Sequence, residues 1–251
     1  MKPISTQQVN SLQSAVQHFH DCYLVSSLNA LSRSENGRKI LMNNIRTDGN
    51  AFTVRFNNVN GLPETYLVKK EECDQLIKRN FPNGVTEHNP IVNVVEIAMS
   101  KLLKVHPDRK PFISRLAPCN EKFEYNKPSN FLFMFTGKQP LVINEDGLSM
   151  NLKSYKRFVK AMFRRISREG NSSFVAGTGV RFGEKLHDTH CFALNNTFNQ
   201  DGGQIVQQPK KKKFKFLHLF EGRKQENIKL TFGDIINEVK YISGYFNEML
   251  A

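Results

Sequence analysis

The sequence predicts an α+β fold, with helices gathered in its first half and strands in its last third. Three observations predict it. Apolar residues recur at helical spacing early in the chain, at Leu24, Val25, Leu28 and Leu31 and again at Ile91, Val94, Val95, Ala98 and Leu102. From residue 173 onwards the apolar residues come instead in short runs broken by Gly, Asn and Asp. The 251 residues, 39% hydrophobic and 24% charged, have ordinary globular composition and can bury a sizeable core.

The elements follow in order. CYLVSSLNALS (22–32) reads as a buried helix with Cys22 at or just before its first turn. AFTVRF (51–56) alternates Phe52, Val54 and Phe56, turns at Asn60-Gly61 and returns through TYLVKK (65–70), a strand–turn–strand unit. IVNVVEIAMSKLL (91–103) is an amphipathic helix that His106-Pro107 ends. FLFMFTG (131–137) and QPLVI (139–143) read as short strands or a structured connection. KSYKRFVKAMFRRISR (153–168) puts Phe158, Val159, Met162, Phe163 and Ile166 on one helical face and Lys156, Arg157, Lys160, Arg164, Arg165 and Arg168 towards the other. SFVAGTGVRFG, HCFALNNTF, KFKFLHLF and IKLTF are successive strands. Thr231-Phe232-Gly233-Asp234 then signals a closing helix, with Ile235, Ile236, Val239 and Ile242 at helical spacing. The expected organisation is one domain of two lobes, a helical lobe over roughly 1–130 and a β-rich lobe over roughly 131–251, with a site in the cleft between them.

Charge and cysteine usage narrow the function classes. A net charge of +13 suits an acidic partner or a solvated basic surface, and charge alone does not choose between them. Lys210–Lys213 with Lys215 is a basic loop between two strands, and few aromatics interleave the lysines, so nucleic acid is not favoured. No apolar run approaches the ~20 residues of a membrane span. The opening MKPISTQQVNSLQ lacks the apolar core of a secretory signal. Cys22, Cys73, Cys119 and Cys191 are far apart and form no CxxC pair, which fits neither a zinc site nor a disulfide scaffold and predicts a reduced, cytosol-like compartment. No metal and no cofactor is expected.

Cys22 is the residue with most chemical potential. A cysteine at a helix N-terminus faces backbone N–H groups and the positive end of the macrodipole, which favour thiolate, the nucleophilic form. The alternative, a small buried hydrophobe, stays open on periodicity alone.

The segment His20-Asp21-Cys22-Tyr23-Leu24-Val25-Ser26-Ser27-Leu28-Asn29-Ala30-Leu31-Ser32 resembles the catalytic-cysteine segment of calpain-type, papain-like peptidases, with His20 where the family usually has Gly. Its Tyr and Leu-Asn-x-Leu tail are similar to the bacterial members. Thr189-His190-Cys191-Phe192-Ala193-Leu194 resembles the family's histidine strand, in the same chain order. The resemblance implies a papain-like arrangement, a helical lobe carrying Cys22 packed on an antiparallel β lobe carrying His190. It implies Cys22 as nucleophile and His190 as the base that takes its proton and returns it to the leaving amine. His187 competes for that role. The family's oxyanion donor is a Gln one place earlier than Gln17, where Val16 stands here, so Gln17 is the nearest match and Gln13 the reserve. The family's orienting Asn falls on Phe220, and the adjacent Glu221 is the candidate orienter, ahead of Asn195 and Asn196. No Asp/Glu cluster matches the calpain calcium sites.

The function implied is a cysteine peptidase acting on a protein substrate, an acidic one suiting the positive charge, as a monomer in the cytoplasm or as a bacterial effector translocated into a host cell. Two alternatives share the scaffold: other Cys–His acyl chemistry, such as a deamidase or transglutaminase, and a non-catalytic protein binding an acidic partner. Phe220 in place of Asn and the displaced Gln favour the last.

Overall fold

The computed structural model describes residues 1–16, 21–58, 60–80, 89–106, 117–119, 122–124, 128–144, 152–169, 172–178, 191–195, 216–221, 226–231 and 239–251. It is a mixture of helix and antiparallel sheet, as the α+β class requires.

The chain opens with a short strand β1 (Lys2–Pro3), helix α1 (Thr6–Ser11) and a 3-10 turn (Leu12–Ser14). Helices α2 (Cys22–Arg33) and α3 (Glu35–Asn44) follow. Strands β2 (Ile45–Thr47), β3 (Ala51–Asn57) and β4 (Pro63–Lys69) join β1 in a four-stranded antiparallel sheet of order β1-β2-β3-β4. In the β3–β4 turn Asn58 accepts N–H bonds from Asn60 and Leu62, and Gly61 takes the left-handed conformation (φ 76) that an Asn-Gly turn demands. Period-two alternation buries Val54, Phe56, Tyr66 and Val68 and leaves Leu67 exposed.

Helices α4 (Lys70–Asn80) and α5 (Pro90–Val105) come next, the latter capped by the Asn89 side chain on the Ile91 amide. A two-stranded ribbon, β5 (Ala117–Cys119) and β6 (Lys122–Glu124), precedes α6 (Pro128–Thr136). The expectation of strands over 131–137 is corrected here. Phe131 and Phe135 stack on one face of α6 with centroids 5.6 Å apart and meet Tyr23 and Phe56 edge-on. All side chains from Phe131 to Phe135 are buried, so the segment is helical with apolar residues all round.

The larger sheet has six antiparallel strands in the order β11-β10-β9-β8-β12-β7. They are β7 (Leu141–Asn144), β8 (Ser173–Thr178), β9 (Cys191–Asn195), β10 (Phe216–Glu221), β11 (Glu226–Thr231) and β12 (Val239–Tyr245). Helix α7 (Leu152–Glu169) follows β7 in the chain. The expected closing helix is also corrected: Val239 and Ile242 belong to β12, between β8 and β7, and residues 232–238 lie outside the described ones. Strand alternation sorts the sheet's two faces. Phe174, Ala176, Phe192, Leu194, Ile143 and Ile242 share a core with Val159 and Ile166 of α7. Val175 and Ala193 face Ala30 of α2 instead, and these small residues let the helix approach the sheet closely.

Every side chain from Tyr23 to Ser32 is buried, so α2 is the central helix of the protein. Each large apolar side chain buried on it is worth ~1.5–3 kcal/mol in transfer free energy. Three of its polar side chains bond back to the helix: Ser27 donates to the Tyr23 carbonyl at 2.6 Å, Asn29 to that of Val25 at 2.9 Å and Ser32 to that of Asn29 at 2.7 Å. Among the described residues no helix is long and apolar enough to cross a membrane.

Candidate functional site

Cys22 is the first residue of α2 and is only partly buried, whereas Tyr23 to Ser32 are buried. The Asp21 carbonyl accepts the Leu24 and Val25 amides at 2.8 and 3.1 Å, which fixes the first turn. The Asp21 side chain makes no capping bond, although Asp is among the best N-cap residues. Its side chain is fully buried, and so is that of Glu96 on α5. Burial first, and then the Asp21 charge, push the Glu96 carboxyl well above the usual carboxylate range.

Tyr23 follows Cys22 in α2 and is fully buried. Its ring packs edge-on against Phe131 with centroids 6.4 Å apart, and its buried hydroxyl makes no hydrogen bond among the described residues. Burial raises the phenol strongly, and the charges of Asp21, Cys22, Glu96 and Cys191 add to the rise. Tyr23 therefore senses both Cys22, which precedes it, and Cys191, which opens β9.

His190 itself, with His187, His20, Gln17, Asn196 and Lys210–Lys213, lies outside the described residues. Its successor Cys191 is partly buried against the core that contains Tyr23. Strand β9 runs on through Ala193, which pairs with Val175 on one side and Phe220 on the other. Asn195 is at the far end of β9, four residues or ~13 Å beyond Cys191. Glu221 is the last residue of β10, paired with Glu226 of β11, and its side chain is outside the described ones.

The reserve oxyanion donor is corrected. The Gln13 side-chain amide donates to the Ser32 carbonyl at 3.1 Å, and Arg33 donates back to the Gln13 carbonyl at 2.6 Å. Ser32 is ten residues, about 15 Å, along α2 from Cys22, so Gln13 clamps the wrong end of the helix for that task.

Cys191 is partly buried like Cys22, and Cys73 differs from both. Cys73 is buried, and burial, followed by Asp74, Glu72 and Glu96, pushes it up to about 11. Thiolate is therefore scarce at Cys73 near neutral pH.

Sequence reasoning missed the interaction of Asp21 with Glu96. The signal present was Glu96 itself, a lone acid in the apolar run IVNVVEIAM. No protein-family model matches this chain, and no curated protein matches it either.

Proposed function

We propose that the chain is a papain-like cysteine peptidase of the calpain-related kind, with a helical lobe presenting Cys22 to a β lobe presenting His190. The observation that carries this reading is the placement of α2. Cys22 is its partly exposed first residue, α2 lies on β8 and β9, and β9 opens at the residue after His190.

In this mechanism the His190 imidazole accepts the Cys22 proton, and the thiolate Sγ attacks the substrate carbonyl carbon. The Cys22 backbone N–H and the Gln17 side-chain amide donate to the tetrahedral oxyanion. Collapse expels the amine, which takes the proton from the imidazolium, and leaves a thioester on Sγ. Water, giving a proton to His190, attacks the thioester and releases the carboxylic acid and the free thiol.

An acidic protein segment is the substrate class best suited to the surface. Arg157, Lys160 and Arg164 are exposed along α7, whose one acidic residue is the terminal Glu169, on a chain of net charge +13. One observation favours the second reading, a non-catalytic binding protein: Phe220, which cannot orient an imidazole by hydrogen bonding, is the residue paired with Ala193 on the histidine strand.

Profiling new peptide termini in a cell lysate treated with wild-type or Cys22→Ala protein tests the proposal. Termini that appear only with wild type, within acidic segments, support it. Identical profiles from the two proteins contradict it.

A further inference from the structure

We propose that the basic row on α7 is a docking surface for an acidic protein segment, set on the opposite side of the six-stranded sheet from Cys22. Arg157, Lys160 and Arg164 are exposed and recur every three or four residues, so they form one row about 10 Å long on the helix. In the sequence the same spacing continues to Lys153 and Arg168. The other side of α7 holds it to the sheet, with Val159 and Ile166 buried and Phe158 and Met162 packed against the same core.

Charge and spacing select the partner. Like charges three and four residues apart weaken the helix that carries them, so the row opposes helix formation instead of aiding it. Lysines of other helices are answered by acids, Lys39 by Glu35 at 2.7 Å and Lys101 by Glu72 at 2.6 Å. Helix α7 has one acid, Glu169 at its end, and the row is bordered where Arg165 pairs with Glu248 and lies over the Phe246 ring at 3.7 Å. A guanidinium fork matches a carboxylate with two parallel bonds. Lys160 and Arg164 are about 6 Å apart along the helix, close to the ~7 Å between alternate residues of an extended chain. Alternate acids of a segment laid along the row therefore meet successive cations. An anionic lipid surface fits less well: the apolar residues of α7 that pack on the sheet cannot anchor in a bilayer, and Glu248, 59% exposed, would be pressed against the headgroups.

The sheet separates this surface from the thiol. Strand alternation puts α7 against Phe174, Ala176, Phe192 and Leu194, and α2 against Val175 and Ala193, so the two helices cover opposite faces. A helix with its side chains is about 10–12 Å across, which leaves the row roughly 20 Å from the axis of α2. Extended chain needs at least about six residues to span that distance. This half rests on the peptidase reading: the acids that dock on α7 lie at least about six residues from the bond that Cys22 attacks, and the segment passes around the edge of the sheet.

Docking is measured on the Cys22→Ala protein, which binds without turnover. Fluorescence anisotropy follows a fluorescein-labelled peptide of alternating Glu and Gly, with its Gln-for-Glu counterpart as the control. Arg157→Glu, Lys160→Glu and Arg164→Glu combined should weaken binding of the Glu peptide about tenfold or more, and rising salt should weaken it as well. Should the reversed protein fail to fold, the combined Arg157→Gln, Lys160→Gln and Arg164→Gln protein replaces it and should lose affinity in the same direction. Equal affinity for the Glu and Gln peptides, or equal affinity with and without the row, overturns the docking surface. Tighter binding to phosphatidylserine vesicles or to duplex DNA at the same salt, lost with the row, overturns the protein partner. In a lysate treated with the active chain, cleavages lost on reversing the row should carry acids at least about six residues from the new terminus. Acids confined closer to those termini overturn the separation from the thiol. Docking of the Glu peptide without cleavage of any protein would end the peptidase reading and leave the docking surface standing.

Discussion

The Ser34 and Ser173 hydroxyls meet at 2.6 Å, fastening the corner between α2 and α3 to the first residue of β8. Ser34 also caps α3 by accepting the Gly37 amide at 3.0 Å. Both serines are fully buried, so neither hydroxyl can turn to water. Ser34→Ala should remove the cap and orphan Ser173, destabilising the fold by about 1–3 kcal/mol in urea titration. A change under about 0.5 kcal/mol would mean that the corner is held by other contacts.

Gly244→Ala tests how closely β12 packs on β8. In β12 the added Cβ would meet the Ser173 carbonyl oxygen at 2.0 Å and Phe174 Cα at 2.6 Å, and backbone cannot yield as a side chain can. A loss of about 1–3 kcal/mol is expected, read as a lowered Tm. A raised Tm would contradict the strand.

These two segments show what the sequence made legible and what it did not. Helices at Cys22, at Ile91 and over 153–168 were readable because each carries an amphipathic or buried helical period, and β3–β4 because alternation and an Asn-Gly turn coincide. FLFMF has no period, since all five residues are buried. Its punctuation was readable, however: Pro128 opens α6, and Gly137, at φ 73, closes it by donating to the Phe133 carbonyl at 2.7 Å. The Ile235–Ile242 spacing misled because β7 and β8 supply the partners of β12, and those pairings are long-range. At the site, Cys22 at a helix start was legible from local pattern. The Asp21–Glu96 interaction and the Gln13–Ser32 bond were not, because each depends on how separate segments dock.

Phe220 and Glu221 test the third catalytic position. An orienting group holds the imidazole in the tautomer that aims one nitrogen at sulfur and stabilises the imidazolium. With Phe220 paired to Ala193, Glu221 is the adjacent group with an acceptor. Glu221→Ala should lower kcat/KM by about 10–100-fold, less than Cys22→Ala, in steady-state cleavage of a fluorogenic peptide. Wild-type kinetics in Glu221→Ala would remove Glu221 from the mechanism. Higher activity in Phe220→Asn would mark the third position as one that has drifted from a stronger peptidase.

The pairing of Cys22 with His190 is tested most directly by thiol alkylation as a function of pH, with each cysteine resolved by mass spectrometry. Cys73, buried and raised to about 11, is the internal reference for an inert thiol. Cys22 should react with iodoacetamide well below the pH at which an ordinary thiol, near 8.5, becomes ionised. His190→Ala should move that reactivity to higher pH while leaving Cys73 unchanged. A Cys22 that labels no faster than Cys73, or a pH profile that His190→Ala does not shift, would contradict the account.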